Sequence, residues 1–223
     1  MPEDDEGGAA SIGLGRMLAL SDGVFAIAMT LVAFQIKVPA LRPHASLLKA
    51  LGHEGGSYLS YVLTFSVIGL FWLAHHRIFR NVDQATESLM LLNLLLLMAV
   101  AALPLPSSLL GQYGSQRSAV ILYAASMVVV GLLLTALTVL AYRRRLLAPT
   151  ASGHELRLGL WRSGSMVMVF AASIPVAVVA PTVAPFVWIA TFPLRFADPR
   201  FWRRRRGATD PASGPSGRGP RRR

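Results

Sequence analysis

The sequence contains no cysteine, and this absence excludes a disulfide framework, a thiolate metal site and a cysteine nucleophile. Charge is also scarce, since 15% of the 223 residues are charged, against about 25% in an average soluble domain. Hydrophobic residues make up 53% of the chain. Such a composition excludes an ordinary soluble domain and raises the question of membrane spans.

Four long segments lack Asp, Glu, Lys and Arg altogether. They contain 20, 29, 25 and 32 residues and cover 55–74, 88–116, 118–142 and 163–194. About 20 apolar residues in a helix cross the ~30 Å hydrocarbon core of a bilayer. A fifth candidate span, residues 17–36, is interrupted by one charge, Asp22. The sequence therefore predicts an all-α integral membrane protein.

The longest charge-free run predicts two short helices, because it contains four prolines and residues 181–185 form a natural turn. The prediction is six transmembrane helices per subunit, at about 17–37, 57–77, 87–112, 118–141, 163–180 and 183–197. With this count, eighteen basic residues fall on the side of the N-terminus and four on the opposite side. The positive-inside rule then places both termini in the cytoplasm. The expected location of the chain is the cell membrane.

Two terminal segments flank the predicted transmembrane unit at 16–197. Residues 1–15 are acidic, and residues 198–223 form a basic tail; both are expected to be mostly disordered because they have little to bury. The last 29 residues hold ten arginines and two aspartates. The run Arg203–Arg206 beside Trp202 is suited to anionic lipid headgroups, although it also serves simply to anchor the topology. No nucleic-acid partner is expected.

The first predicted helix carries an apolar stripe. At about 100° per residue, one face contains Gly23, Ile27, Leu31 and Phe34, with Thr30 beside them. Periodicity alone leaves open whether this stripe faces lipid, other helices or a pore.

The same helix carries a polar pair, Ser21 and Asp22, on another face. Inserting an acidic side chain at the centre of a transmembrane helix costs about 2.5–3.5 kcal/mol of free energy. Such a side chain therefore faces other protein groups, water or a binding partner. The end of the second predicted helix returns to this depth with three polar side chains on one face: Trp72, His75 and His76. Together with Arg16, these residues are a candidate inter-helix polar network.

Two simpler interpretations of these polar residues stay open. Asp22 can be a helix-start acid satisfied by Arg16 or by backbone amides, and the two histidines can simply mark the membrane interface. No metal site is expected, because two adjacent histidines and one aspartate lack a specific ligand spacing.

The first helix resembles the signature of the transmembrane protein 175 family, which are potassium channels unrelated to the voltage-gated type. The similar residues begin at Arg16 and continue through Leu20-Ser21-Asp22 and Ala26-Ile27-Ala28 to Thr30-Leu31, with Leu20 where the family has Phe. The run from Trp72 to His75-His76-Arg77 and residues 103–111 also resemble family positions. The resemblance covers about residues 16–113.

The resemblance implies a six-helix unit that assembles as a homotetramer, with the first helices of the four subunits lining the pore. Carried over by position, the pore constriction consists of Ile27, Leu31 and Phe34, and Gly23 and Thr30 lie next to it. Phe34 is larger than the aliphatic residue usual in the family. The implied constriction is apolar and replaces a carbonyl filter, in agreement with the lack of a Thr-Val-Gly-Tyr-Gly loop. The polar network would hold helix 1 against helix 2.

The expected function is a potassium-permeable cation channel, with K⁺ as the permeant ion and no cofactor. An enzyme is not expected, because the sequence has no Gly-x-Ser-x-Gly, phosphate loop or paired carboxylates. One alternative is a proton-coupled transporter that uses Asp22 with His75 and His76 as a relay. Another is a non-transporting membrane protein that acts through its basic tail.

Overall fold

The computed structural model describes residues 3–36, 46–52, 54–83, 86–146 and 153–189, and every regular element within these ranges is an α-helix. The helices are α1 Glu3–Ala33, α2 Leu47–Gly52, α3 Gly55–Phe79, α4 Glu87–Ala102, α5 Pro104–Tyr113, α6 Arg117–Arg143, α7 Gly153–Val179 and α8 Ala184–Trp188.

Five stretches of these helices are long and apolar enough to cross a membrane: Gly13–Ala33, Gly55–Phe79, Glu87–Tyr113, Arg117–Arg143 and Gly159–Val179. Each has at least the roughly 20 residues that a bilayer core requires. The prediction of an all-helical chain with several apolar spans is confirmed.

Helix α1 begins earlier than the sequence predicted. Residues 1–15 were expected to lack regular structure, but the chain is helical from Glu3 onward. Acidic residues near a helix N-terminus are favoured by the helix dipole, and residues 3–6 include four of them. The boundary expected between residues 15 and 16 is therefore corrected to one continuous helix, which ends at Ala33 rather than at residue 37.

The third predicted span consists of two helices, α4 and α5, separated at Leu103. Pro104 occupies the first position of α5, where its missing N–H would have no intrahelical partner in any case. Instead, the N–H of Leu103 bonds the carbonyl of Val100 at 3.1 Å, closing a tight turn. At the N-terminus of α4, the Thr86 hydroxyl accepts a hydrogen bond from the N–H of Leu89 and caps the helix.

The chain reverses after α7, at the prolines that predicted a turn. Helix α7 ends at Val179 and α8 begins at Ala184. The indole N–H of Trp188 donates to the Ser173 hydroxyl at 2.7 Å, so α8 runs back along α7. The rest of the sixth predicted helix, residues 190–197, and the basic tail lie outside the described residues.

Close helix contacts form the interior of the bundle. A Cβ added to Gly131 of α6 would lie 2.6 Å from Cγ2 of Val167 on α7, so only glycine permits this approach. Between α3, α5 and α6, the hydroxyls of four buried residues bond one another at 2.8–3.1 Å: Ser60, Thr64, Ser107 and Tyr123. Each hydroxyl of this cluster thus has a hydrogen-bond partner inside the bundle.

Candidate functional site

Helix α1 has one face buried within the subunit. Its buried side chains recur at helical spacing and contact α3 and α4: Met17, Ser21, Phe25, Ala28 and Val32. Spacings of three and four residues place them on one side of the helix. This face docks α1 onto the rest of the chain.

The predicted stripe lies on another face of α1, at the surface of the subunit. Ile27, Leu31 and Phe34 are 59%, 44% and 85% exposed. Gly23 has no neighbouring atom within 4 Å of the position of an added Cβ. The exposed Thr30 hydroxyl donates to the carbonyl of Ile27 at 2.8 Å. The structure therefore gathers the five predicted pore-lining and pore-adjacent residues on an uncovered surface.

A buried chain of hydrogen bonds joins three helices beside the buried face of α1. The Ser21 hydroxyl donates to the Met17 carbonyl at 2.8 Å and accepts from the Asn93 amide of α4 at 3.0 Å. The Asn93 carbonyl oxygen lies 2.8 Å from Nε2 of His75 on α3. All three side chains are buried, so each bond is protected from competition.

His75 occupies an aromatic pocket. Its ring centroid lies 5.4 Å from that of Phe25 and 4.5 Å from that of Phe79. Nδ1 is buried and makes no hydrogen bond within the part of the chain that the structure describes. The imidazole is therefore oriented by these two ring contacts and by the bond from Nε2 to Asn93.

A second polar contact lies closer to the surface. The indole N–H of Trp72 donates to Oδ1 of Asp22 at 2.8 Å, which gives the carboxylate a partner on α3. The exposed His76 ring lies 5.6 Å from the Trp72 ring. Arg16 is exposed and, among the described residues, makes neither a hydrogen bond nor an ion pair.

The six residues of the predicted network thus fall into separate groups. One is Ser21 with His75, linked through Asn93, and another is Asp22 with Trp72 and His76. Arg16 stands apart from both. Metal binding has no candidate among the described residues, because no three His, Asp or Glu side chains come together there.

Two anchoring residues were missed by the sequence reasoning, Asn93 and Gln35. Asn93 sits between runs of leucine in α4, and an amide at that depth is itself a signal for a hydrogen bond between helices. The Gln35 amide follows the end of α1 and donates to the carbonyl of Pro104 in α5. Polar bonds therefore hold both ends of the spanning part of α1, whereas its middle contacts are apolar.

Comparison with known proteins places these features in a family. A family profile described as "Endosomal/lysosomal potassium channel TMEM175" matches residues 16–104. A potassium channel of Streptomyces collinus is 40% identical over 160 residues, which cover 67% of this chain and 78% of the relative. The endosomal/lysosomal proton channel TMEM175 of Gallus gallus is 40% identical over 109 residues, covering 45% of this chain and 22% of that protein.

The fold is similar to a solved channel structure. The crystal structure of a lysosomal potassium-selective channel TMEM175 homolog from Chamaesiphon minutus superposes with a TM-score of 0.74 at 27% identity. The superposition covers 82% of this chain and 97% of the solved chain. The similarity thus extends well beyond the profile match, through the later helices of the bundle.

Proposed function

The chain belongs to the TMEM175 family, a family of multi-pass membrane channels and not of enzymes, and from this premise we propose that it is a potassium-permeable cation channel. The observation that carries the proposal is the exposed apolar stripe on α1, formed by Ile27, Leu31 and Phe34. The relative from Streptomyces collinus and the solved homolog from Chamaesiphon minutus, both potassium channels by name, support K⁺ as the permeant ion.

The proposed pore lies on the axis of a homotetramer. Each subunit contributes the exposed face of α1, and four copies of the stripe then surround one path. Rings of bulky apolar side chains close such a path by excluding water, without a charged gate or a carbonyl filter. Opening requires the four α1 helices to separate until a hydrated or partly hydrated K⁺ fits. Such rings distinguish K⁺ from Na⁺ only by the size of the ion and by the free energy needed to remove its water, so the selectivity is expected to be modest.

Each subunit is proposed to contain six transmembrane helices, with both termini in the cytoplasm of a cell-membrane protein. The reversal of the chain between α7 and α8 supports the sixth helix, because α8 runs back along α7 as the second arm of a hairpin. The excess of basic residues on the side of the N-terminus supports the orientation.

The test is K⁺ flux into liposomes that contain the purified full-length protein, with valinomycin-treated liposomes as the upper limit. Ile27→Asn places a polar amide at the first ring of the proposed constriction. We expect it to raise K⁺ flux at least severalfold and to reduce discrimination between K⁺ and Na⁺, because water enters the constriction more readily.

The matched control is Leu132→Asn, which makes the same polar substitution at an exposed position of α6. It should leave flux unchanged, since α6 is not proposed to line the pore. Equal effects of the two substitutions, or no K⁺ flux from well-folded oligomers, would contradict the proposed pore.

The alternative of a proton-coupled transporter requires a continuous relay. Within the described residues, Asp22 bonds Trp72 and His75 bonds Asn93, and no hydrogen bond joins the two groups. The same liposomes distinguish the alternatives: a channel passes K⁺ down its gradient at any proton gradient, whereas a transporter's K⁺ flux changes in proportion to the proton gradient.

A further inference from the structure

Arginine side chains from different helices cluster at one end of the bundle. Arg77 lies in the last turn of α3, Arg80 directly follows this helix, and Arg162 lies in the first turn of the span in α7. The positive charges of Arg162 and Arg80 both act on the guanidinium of Arg77, which is partly buried. Since α3 and α7 also contact each other, the three like charges share one end of the bundle, where their repulsion favours the binding of an anion.

The end of α6 brings further positive charge to this place. The N–H of Asp83, just after α3, donates to the carbonyl of Leu146 at 2.9 Å, so the chain segments that follow α3 and α6 are joined. Immediately before Leu146 come three exposed arginines, Arg143–Arg145. We call the six arginines the basic rim: Arg77, Arg80, Arg143, Arg144, Arg145 and Arg162.

Among the side chains that the structure describes, no carboxylate forms an ion pair with the basic rim. Asp83 and Glu87 lie at the same end of the bundle and are exposed, but neither forms an ion pair with a rim arginine. The charges are thus available to an external anion. Arginine is well suited to this purpose because its planar guanidinium binds phosphate through two parallel hydrogen bonds.

The backbone at Arg145 has a conformation that is unusual for a residue with a side chain. Its φ of 55° lies in the left-handed region, and the N–H of Leu146 bonds the carbonyl of Ala141 at 3.0 Å, the geometry that usually places glycine at a helix end. An arginine here adopts a backbone conformation that glycine would adopt at lower cost. The chain thus carries a positive charge at a position where the backbone alone would favour glycine.

The position of the basic rim relative to the membrane indicates the type of anion. Its arginines lie at or next to the ends of three predicted spans, where lipid headgroups lie. The exposed aromatic residues Trp161 and Tyr142 adjoin Arg162 and Arg143 in sequence, and such residues favour the headgroup level. We propose that the basic rim is a binding site for the phosphate of an anionic phospholipid.

The experiment is native mass spectrometry of the detergent-purified full-length protein, titrated separately with phosphatidylglycerol and phosphatidylcholine. We expect tighter binding of phosphatidylglycerol. Arg145→Gly should weaken that binding about fivefold, the contribution typical of one arginine at an anionic surface. It should also leave the apparent unfolding temperature unchanged or raised, so a loss of binding is not a loss of folding. The double variant Arg77→Gln with Arg162→Gln should weaken binding further.

The matched control is Arg117→Gln, which removes an exposed arginine from the opposite end of α6. It should not affect phosphatidylglycerol binding, and the basic tail is identical in all variants. An equal loss in Arg117→Gln, or no preference of the wild type for phosphatidylglycerol, would overturn the proposal. Displacement of the lipid by an equal concentration of inorganic phosphate would also overturn it, since the site would then take soluble anions.

Discussion

The two faces of α1 carry similar side chains in different surroundings. On one face, Phe25 and Val32 are fully buried against the rest of the subunit. On another face, Ile27 and Phe34 are mostly exposed, although they are equally apolar. In a membrane, apolarity therefore does not distinguish a docking face from a free face, because lipid is as apolar as a protein interior. The hydrogen bonds of the polar residues distinguish the buried face of α1 from the exposed one.

The buried face is marked by a hydrogen bond that lipid cannot replace. Ser21 shares its hydroxyl with Met17 and Asn93, and this pairing determines which side of α1 turns toward α4. The exposed face offers only the Thr30 hydroxyl, which is satisfied by its own helix. The exposed face thus has no polar contact with another described helix that would hold it in place, which is consistent with the moving pore lining proposed above.

The largest expected difference between the faces is in packing. Phe25→Ala removes a buried ring beside His75 and should lower the free energy of unfolding by about 3 kcal/mol. Ile27→Ala removes an exposed side chain and should change it by less than about 0.5 kcal/mol. Thermal unfolding in one detergent, followed by circular dichroism, compares the two variants. Losses of similar size would mean that the faces are not distinct.

A smaller effect is expected from the polar anchor. Asn93→Leu keeps the volume of the side chain but leaves Nε2 of His75 buried without a partner, and it should cost about 2 kcal/mol. The control is Thr30→Val, a near-isosteric change on the exposed face, which should be close to neutral. Thermal unfolding followed by circular dichroism measures both variants. If Asn93→Leu left the stability unchanged, the hydrogen bonds of Asn93 would not stabilise the docking of α1.

The smallest effect is expected at the surface contact between α1 and α3. Trp72→Phe removes the indole donor, but Asp22 is exposed and regains its partner from water, so the loss should be about 1 kcal/mol. Trp161→Phe on α7 serves as the control, because its ring is exposed far along the chain from Asp22. If Trp72→Phe lowered the stability more than Asn93→Leu does, the surface contact would contribute more than the buried one, contrary to this prediction.

Much of the fold followed from the sequence. Charge-free runs predicted the apolar spans, and the prolines after Val179 predicted where the chain reverses. The sequence did not predict the separation of α4 from α5 at Leu103, because the prolines at 104 and 106 lie within one continuous apolar run. The early start of α1 was also missed, since its acidic residues were interpreted by composition and not by their favourable position at a helix N-terminus.

The site was predictable only in part. The stripe at Ile27, Leu31 and Phe34 follows from helical periodicity, which local geometry imposes on any helix. Asn93 lies 72 residues from Ser21, and no spacing rule connects positions on separate helices. The basic rim likewise combines Arg77 with Arg162, which share one end of the bundle only because α3 packs against α7.

The sequence by itself determined that this chain is helical and contains several spans long and apolar enough to cross a membrane, because hydrophobic length acts locally along the chain. Tertiary structure alone decided which face of α1 is buried and which arginines become neighbours. The physical reason is that lipid treats all apolar faces alike, so the choice depends on hydrogen bonds and close contacts between distant helices.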